Sequence, residues 1–123
     1  MGDKFDKLVE TGKHAEQHQY EECRQFYSAD VRGWSPSYDF EGIESWLVLI
    51  AEQNDPFSEI ETVQHLVAET DDAVVSEWTW AATHAETGKR LSMKGLSVFE
   101  FSAGKVASFR QYFDMAAVMA QFA

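Results

Sequence analysis

The last third of the chain, Leu91 to Asp114, constrains the fold more than any other segment. Two strand-like runs, Gly95–Phe101 and Lys105–Phe113, flank a three-residue link that ends in glycine. A short glycine-containing link between two β-prone runs predicts a hairpin. The second run delivers Asp114 just before Met115–Phe122, whose spacing predicts a helix. The sequence therefore predicts two paired strands that place one carboxylate at a sheet edge or cavity lip.

Helical patterns precede strand patterns along the chain. Apolar residues recur at helical spacing in three segments, which are residues 3–18, Tyr20–Tyr27 and Gly42–Gln53, with a short extended piece near Val31–Ser35. Strand-like runs then follow at Glu59–Glu69 and Ala73–His84. This order predicts one α+β domain over residues 1–123, in which a four-stranded antiparallel meander curves around the helices. The concave side of such a sheet can hold a pocket.

Composition and charge exclude several classes of partner. The chain has 123 residues and a net charge of -11, with 10 Lys and Arg among 21 acidic residues. No basic stripe is left to bind nucleic acid or an anionic membrane. No apolar run is long enough to span a bilayer, and the acidic N-terminus lacks the features of a signal peptide. Cys23 is the one cysteine, so we expect no internal disulfide and a cytoplasmic location.

The C-terminal segment resembles the SnoaL-like and limonene-epoxide-hydrolase-like branches of the nuclear transport factor 2-like superfamily. The likeness lies in the run from Val98 through Gly104 to Tyr112-Phe113-Asp114, and more loosely in Gln25–Val31 and Asp39–Ile43. The resemblance implies a cone-shaped, curved antiparallel sheet wrapped around N-terminal helices, the cystatin-like arrangement. The superfamily contains isomerases, hydrolases, cyclases and binding proteins without catalysis, so the fold alone does not determine the function.

Matching the chain to limonene-type epoxide hydrolases implies that their catalytic set is incomplete here. Trp78 and Trp80 fall where those enzymes carry an Arg and an Asp, and Asp114 is the one member retained. The resemblance to ketosteroid isomerases does not preserve their catalytic residues either. The general-base position of those enzymes falls near Ser35 and their second oxyanion donor near Ser97. Neither mechanism transfers intact.

Strand alternation indicates which side chains could line a pocket. The even positions of Ala73–His84 carry Trp78 and Trp80, so we expect that face to be the inner one. In the next strand Ser97 and Phe99 share one face and Leu96 and Val98 share the other. The pattern leaves open which of those two faces points inward.

The candidate site has two predicted catalytic residues, Asp114 and His84. The predicted substrate-binding residues are mostly aromatic and comprise Trp34, Tyr38, Trp78, Trp80, Ser97, Phe99 and Tyr112. Two interpretations of Asp114 stay open, because Asp is a favoured N-cap for the helix that follows and is also the retained carboxylate of the resemblance. His14 and His18 have a spacing that can bind metal, but no third ligand lies near them in sequence. We therefore expect neither a metal nor another cofactor.

Three functional classes stay open for a chain of this kind. The first is a cofactor-independent isomerase, cyclase or lyase acting on an apolar small molecule, with Asp114 as general acid or base. The second is a binding protein with the same pocket and no chemistry. The third is an interaction module, a homodimer formed through the outer face of the C-terminal sheet around Leu96 and Val98.

The replaced Arg and Asp lead to a first prediction. The purified protein should not hydrolyse limonene-type epoxides at an appreciable rate, because the attacking water has lost two of its three partners. Loss of coupled catalytic residues lowers rates by orders of magnitude. Diol formation, followed by gas chromatography, is the measurement, and rapid enzyme-dependent diol production would contradict the prediction.

Overall fold

One curved sheet and four short helices make up the protein, for which a computed structural model describes residues 2–122. The helices are α1 (Asp3–Glu16), α2 (Tyr20–Cys23), α3 (Ile43–Asn54) and α4 (Met115–Ala120). The strands are β1 (Tyr27–Ser35), β2 (Tyr38–Glu41), β3 (Phe57–Glu69), β4 (Ala73–His84), β5 (Arg90–Ser102) and β6 (Lys105–Phe113). Their order across the sheet is β2-β1-β6-β5-β4-β3.

The predicted α+β class and the antiparallel meander of β3 to β6 are confirmed. The bounds predicted for β4 and β6 are those observed. The hairpin between β5 and β6 turns through Ala103 and Gly104, both with positive φ. Such a turn matches the twist of the strands that it joins.

Three features of the N-terminal half differ from the prediction, and the first is strand β2, which the sequence pattern did not predict. The helix expected over Tyr20–Tyr27 is a single turn of α2 followed by a 3-10 turn at Arg24–Phe26. The extended piece near Val31 begins earlier, at Tyr27, and pairs with β6 in parallel. Tyr27 and Val31 are buried against the sheet core, so tertiary pairing overrides the local helical spacing.

An aromatic cluster holds α3 against the concave face of the sheet. The Trp46 indole stacks on Phe40 with ring centroids 5.0 Å apart and meets Phe109 edge-on at 4.9 Å. Tyr38 also contacts Trp46, at 5.6 Å. Offset and edge-to-face arrangements at these distances each contribute about 0.5–1.5 kcal/mol beyond area burial.

The other helices cover the remainder of the concave face. Phe5, Leu8 and Ala15 lie on the side of α1 that packs against the core. The α4 helix is tied to β5 through the Gln121 side chain, which accepts from the Ser92 amide at 2.8 Å and donates to its carbonyl at 2.7 Å. None of the helices between residues 2 and 122 is long and apolar enough to cross a membrane.

Gly33 gives a stability prediction. A Cβ at this position would lie 2.3 Å from the Phe40 ring and 2.8 Å from Phe109, both buried in the aromatic cluster. Gly33→Ala should therefore lower the free energy of unfolding by about 1–3 kcal/mol, the usual cost of overpacking. Urea denaturation measures the change. The matched control is Gly12→Ala in α1, where no atom lies within 4 Å and a gain of up to about 1 kcal/mol is expected. Equal effects at the two sites would contradict this account.

Candidate functional site

A cavity of about 450 Å³ lies between the concave face of the sheet and helices α1, α3 and α4. This volume is within the range typical of small-molecule sites. Its lining is predominantly aromatic and aliphatic, with Leu8, Ile50, Phe57, Trp78, Trp80, Leu91, Met93, Phe99, Phe109, Phe113, Val118 and Met119 among the contributors. The site can therefore remove a largely apolar molecule of modest size from water.

Trp78 lines the cavity from the inner face of β4. Its side chain is 7% exposed, and its indole nitrogen donates a hydrogen bond to the Ser97 hydroxyl at 2.8 Å. Gly95, directly opposite on β5, makes room for the ring, because a Cβ there would come within 2.4 Å of the indole. The indole can therefore lie against the backbone of β5 with its polar atom satisfied.

Tyr38 and Gln111 form a second hydrogen bond at the cavity wall. The Tyr38 hydroxyl donates to Gln111 Oε1 at 2.7 Å. Burial raises the pKa of Tyr38 well above its ordinary value, so the hydroxyl stays protonated at neutral pH and acts as a donor. This bond holds the Gln111 amide in a defined orientation beside Ser97, its neighbour in the register of β5 and β6.

Five of the seven predicted substrate-binding residues line the cavity, and they are Tyr38, Trp78, Trp80, Ser97 and Phe99. The even face of β4 is the inner one, as predicted. The structure also settles the orientation of β5. Because Ser97 pairs with the inward Ser76, Ser97 and Phe99 face the cavity and Leu96 lies on the outer face.

Trp34 and Tyr112, the other two predicted binding residues, lie on the outer face instead. Their rings pack together at 5.4 Å and are 41% and 45% exposed. The register explains both placements. Gly33 pairs with the inward Phe109, so Trp34 points outward, and Tyr112 pairs with the outward Leu96. The expectation that these two side chains form part of the pocket is wrong.

Asp114 lies outside the cavity as the N-cap of α4. Its carboxylate is exposed and accepts a hydrogen bond from the Ala117 amide at 3.1 Å. The side chain is not among the residues that line the cavity. Of the two interpretations left open by the sequence, the geometry matches the helix cap.

His84 is not among the residues that line the cavity, although it packs behind two that do. Its Nδ1 atom is 3.0 Å from the Thr87 hydroxyl, and its ring packs edge-on against Phe57 and Phe122 at 5.6 Å. The imidazole thus closes the end of β4 beside the turn that follows. His84 and Asp114 therefore do not form one site with the five predicted residues that line the cavity.

Glu16 is a cavity carboxyl group that the sequence pattern did not single out. It ends α1, is half-buried and lines the cavity. Burial raises its pKa, and a hydrogen bond with Thr62 and the charge of Lys13 oppose that shift. The sequence pattern could not predict this position of Glu16, because it depends on a contact between α1 and β3. Gln111 could have been found from the sequence, since period-two spacing places it on the same face of β6 as the inward Phe109 and Phe113.

The two histidines with metal-like spacing serve local contacts. His14 Nδ1 is 2.9 Å from Gln19 Oε1, and His18 Nδ1 is 2.6 Å from the Tyr20 hydroxyl. Among residues 2–122, no three His, Cys, Asp or Glu side chains are grouped so that they could hold a metal ion.

A family model described as a SnoaL-like domain matches residues 10–109 of the chain. The match covers most of the fold, from α1 to the middle of β6. No sequence among the curated proteins matches the chain.

Solved structures share the fold at low sequence identity. A candidate isomerase from Rhodopseudomonas palustris has a TM-score of 0.89 and 15% identity, with 99% of this chain and 97% of that chain covered. A candidate SnoaL-like polyketide cyclase from Jannaschia sp. CCS1 has a TM-score of 0.78 and 21% identity, with coverages of 94% and 91%. An LEH-like epoxide hydrolase from M. tuberculosis has a TM-score of 0.79 and 16% identity, with coverages of 96% and 87%. At these identities the similarity establishes the shared fold alone.

Proposed function

The chain belongs to the SnoaL-like domain family, and on that premise we propose that it binds a small, largely apolar molecule in the cavity under its helices. The observation that carries the proposal is a cavity of about 450 Å³ floored by Trp78, Trp80 and Phe99. A well-formed apolar cavity with a few fixed polar groups is the usual form of a small-molecule site. Ser97 and Gln111, each held by a hydrogen bond to an aromatic side chain, supply such groups.

Proton transfer is the alternative function, and one observation favours it. Glu16 lines the cavity and burial raises its pKa, which brings a carboxyl group toward the range useful for acid–base chemistry. Asp114 caps α4 outside the cavity. A cofactor-independent isomerase or cyclase reaction in this cavity would therefore use Glu16 rather than Asp114 as its acid or base.

Binding can be tested with N-phenyl-1-naphthylamine, a neutral probe whose emission rises in apolar surroundings. We expect saturable binding with a Kd on the order of micromolar, accompanied by quenching of tryptophan emission. Trp80→Ala should weaken binding by about tenfold, because it removes a large apolar face from the cavity wall.

Two matched variants serve as controls for this experiment. Trp34→Ala makes the same substitution on the outer face, and Asp114→Asn keeps the cap while removing the carboxylate. Both should bind the probe as the wild type does. If the probe does not bind, or if Trp34→Ala and Trp80→Ala weaken it equally, the cavity is not the binding site.

The outer face of the sheet carries an exposed apolar stripe, which we propose is covered by a second copy of the chain. Leu66, Leu96 and Tyr112 follow one another across the register of β3 to β6, with Glu77 between the first two, and Trp34 packs on Tyr112. Exposed apolar side chains grouped on one face of a sheet in this way mark contact surfaces. A homodimer would bury these side chains while leaving the cavity on the opposite face accessible.

The dimer can be tested by sedimentation at micromolar protein concentration. Leu96→Asp should shift the protein from dimer to monomer, because it places a charge in the middle of the stripe. Val48→Asp on α3 is the control, since Val48 is also an exposed apolar residue but lies on a helix and not on the sheet. A wild-type protein that sediments as a monomer would exclude this proposal and leave the cavity untouched.

A further inference from the structure

A row of three polar side chains crosses the aromatic floor of the cavity. Ser76 on β4, Ser97 on β5 and Gln111 on β6 are direct neighbours in the register of the sheet. All three line the cavity, and Ser76 and Ser97 are 4% and 1% exposed. Polar groups buried in an apolar surface are stable only with hydrogen-bond partners, so the partners of this row define what the cavity can hold.

The acceptor atoms of two of these side chains each take a hydrogen bond from an aromatic side chain of the protein. The Trp78 indole N–H donates to the Ser97 hydroxyl oxygen, and the Tyr38 hydroxyl donates to the Gln111 carbonyl oxygen. These bonds leave the hydrogen of the Ser97 hydroxyl and the amide hydrogens of Gln111 free to donate. Among the described residues, no protein acceptor takes a hydrogen bond from either group. The row therefore presents donors to the cavity.

The charges around the cavity limit the kind of acceptor that can meet these donors. Among the described lining residues the charged ones are Glu16 and Glu52, with no Lys, Arg or His. An anionic oxygen brought into this cavity would lose its hydration and meet carboxylates without a compensating cation. A neutral oxygen avoids both penalties.

We propose that Ser97 and Gln111 anchor the carbonyl oxygen of a neutral ketone or ester whose remaining surface is apolar. This inference rests on the proposed function, because it names the chemical class of molecule that the cavity takes. A carbonyl oxygen has two lone pairs and accepts from Gln111 and Ser97 together, while the aromatic floor contacts the hydrocarbon part.

Three probes of nearly identical shape test the proposal: 2-acetylnaphthalene, 2-isopropenylnaphthalene and 2-naphthoate. They present a carbonyl, a methylene and a carboxylate at the same position. Displacement of N-phenyl-1-naphthylamine at pH 7.5 gives the three affinities. We expect the ketone to bind about tenfold more tightly than the alkene, the factor that one or two neutral hydrogen bonds supply. The carboxylate should bind most weakly.

Two substitutions at Gln111 locate the effect. Gln111→Glu keeps an oxygen that accepts from Tyr38 but offers no amide hydrogen. The affinity for the ketone should therefore fall to that for the alkene or below it. Gln111→Met removes the amide donors and leaves the Ser97 hydroxyl, so the ketone-to-alkene ratio should fall but stay above one. Gln17→Met, at the exposed end of α1 and outside the cavity, should leave the ratio unchanged.

The outcomes separate this inference from the proposed function. If none of the three probes binds, the small-molecule function itself fails. If ketone and alkene bind equally to the wild type, or if the ketone keeps its full advantage in a folded Gln111→Glu variant, the carbonyl anchor is wrong and the apolar cavity stands. Tightest binding of 2-naphthoate would overturn the choice of a neutral ligand.

Discussion

The packing of Trp46 is the contact on which the rest of the site depends. The indole joins α3 to the β1–β2 hairpin through Phe40 and Tyr38, and to the centre of the sheet through Phe109. With α3 held at this end of the concave face, the other end, under Trp78 and Trp80, is covered by side chains of α1 and α4 without being filled. The cavity exists because aromatic rings fill the space above one half of the sheet, whereas the helices cover the other half and leave space beneath them.

Period-two alternation predicted the strands and the inward face of β4, because each strand carries its own pattern. The orientation of β5 needed the pairing between strands, which no single run of residues encodes. The same limit explains the error at Trp34 and Tyr112. Their aromatic character suggested a pocket, but their placement is decided by the register of β1 and β5 against β6.

The titratable groups were harder to place than the apolar ones. Asp114 and His84 stand at the ends of elements, where a side chain can turn to a cavity, to the backbone or to solvent with little change in local sequence. Asp114 turned to the Ala117 amide and His84 to Thr87. Glu16 acquires its half-buried position through the approach of α1 to β3, a contact between distant segments. Hydrophobic periodicity within one segment carries no information on contacts between segments that are distant in sequence.

The parallel pairing of β1 with β6 has a consequence for the order of folding. The strand nearest the start of the chain finds its partner in the strand nearest the end, so this contact closes a long loop and has a high entropic cost. While the chain is being synthesised, the β3–β4 hairpin can form early, but Val31 and the Trp46 cluster lack Val106 and Phe109 until β6 emerges. The aromatic surface stays uncovered until that moment, and we expect completion of the sheet to be the step at which the nascent chain stops being prone to aggregation.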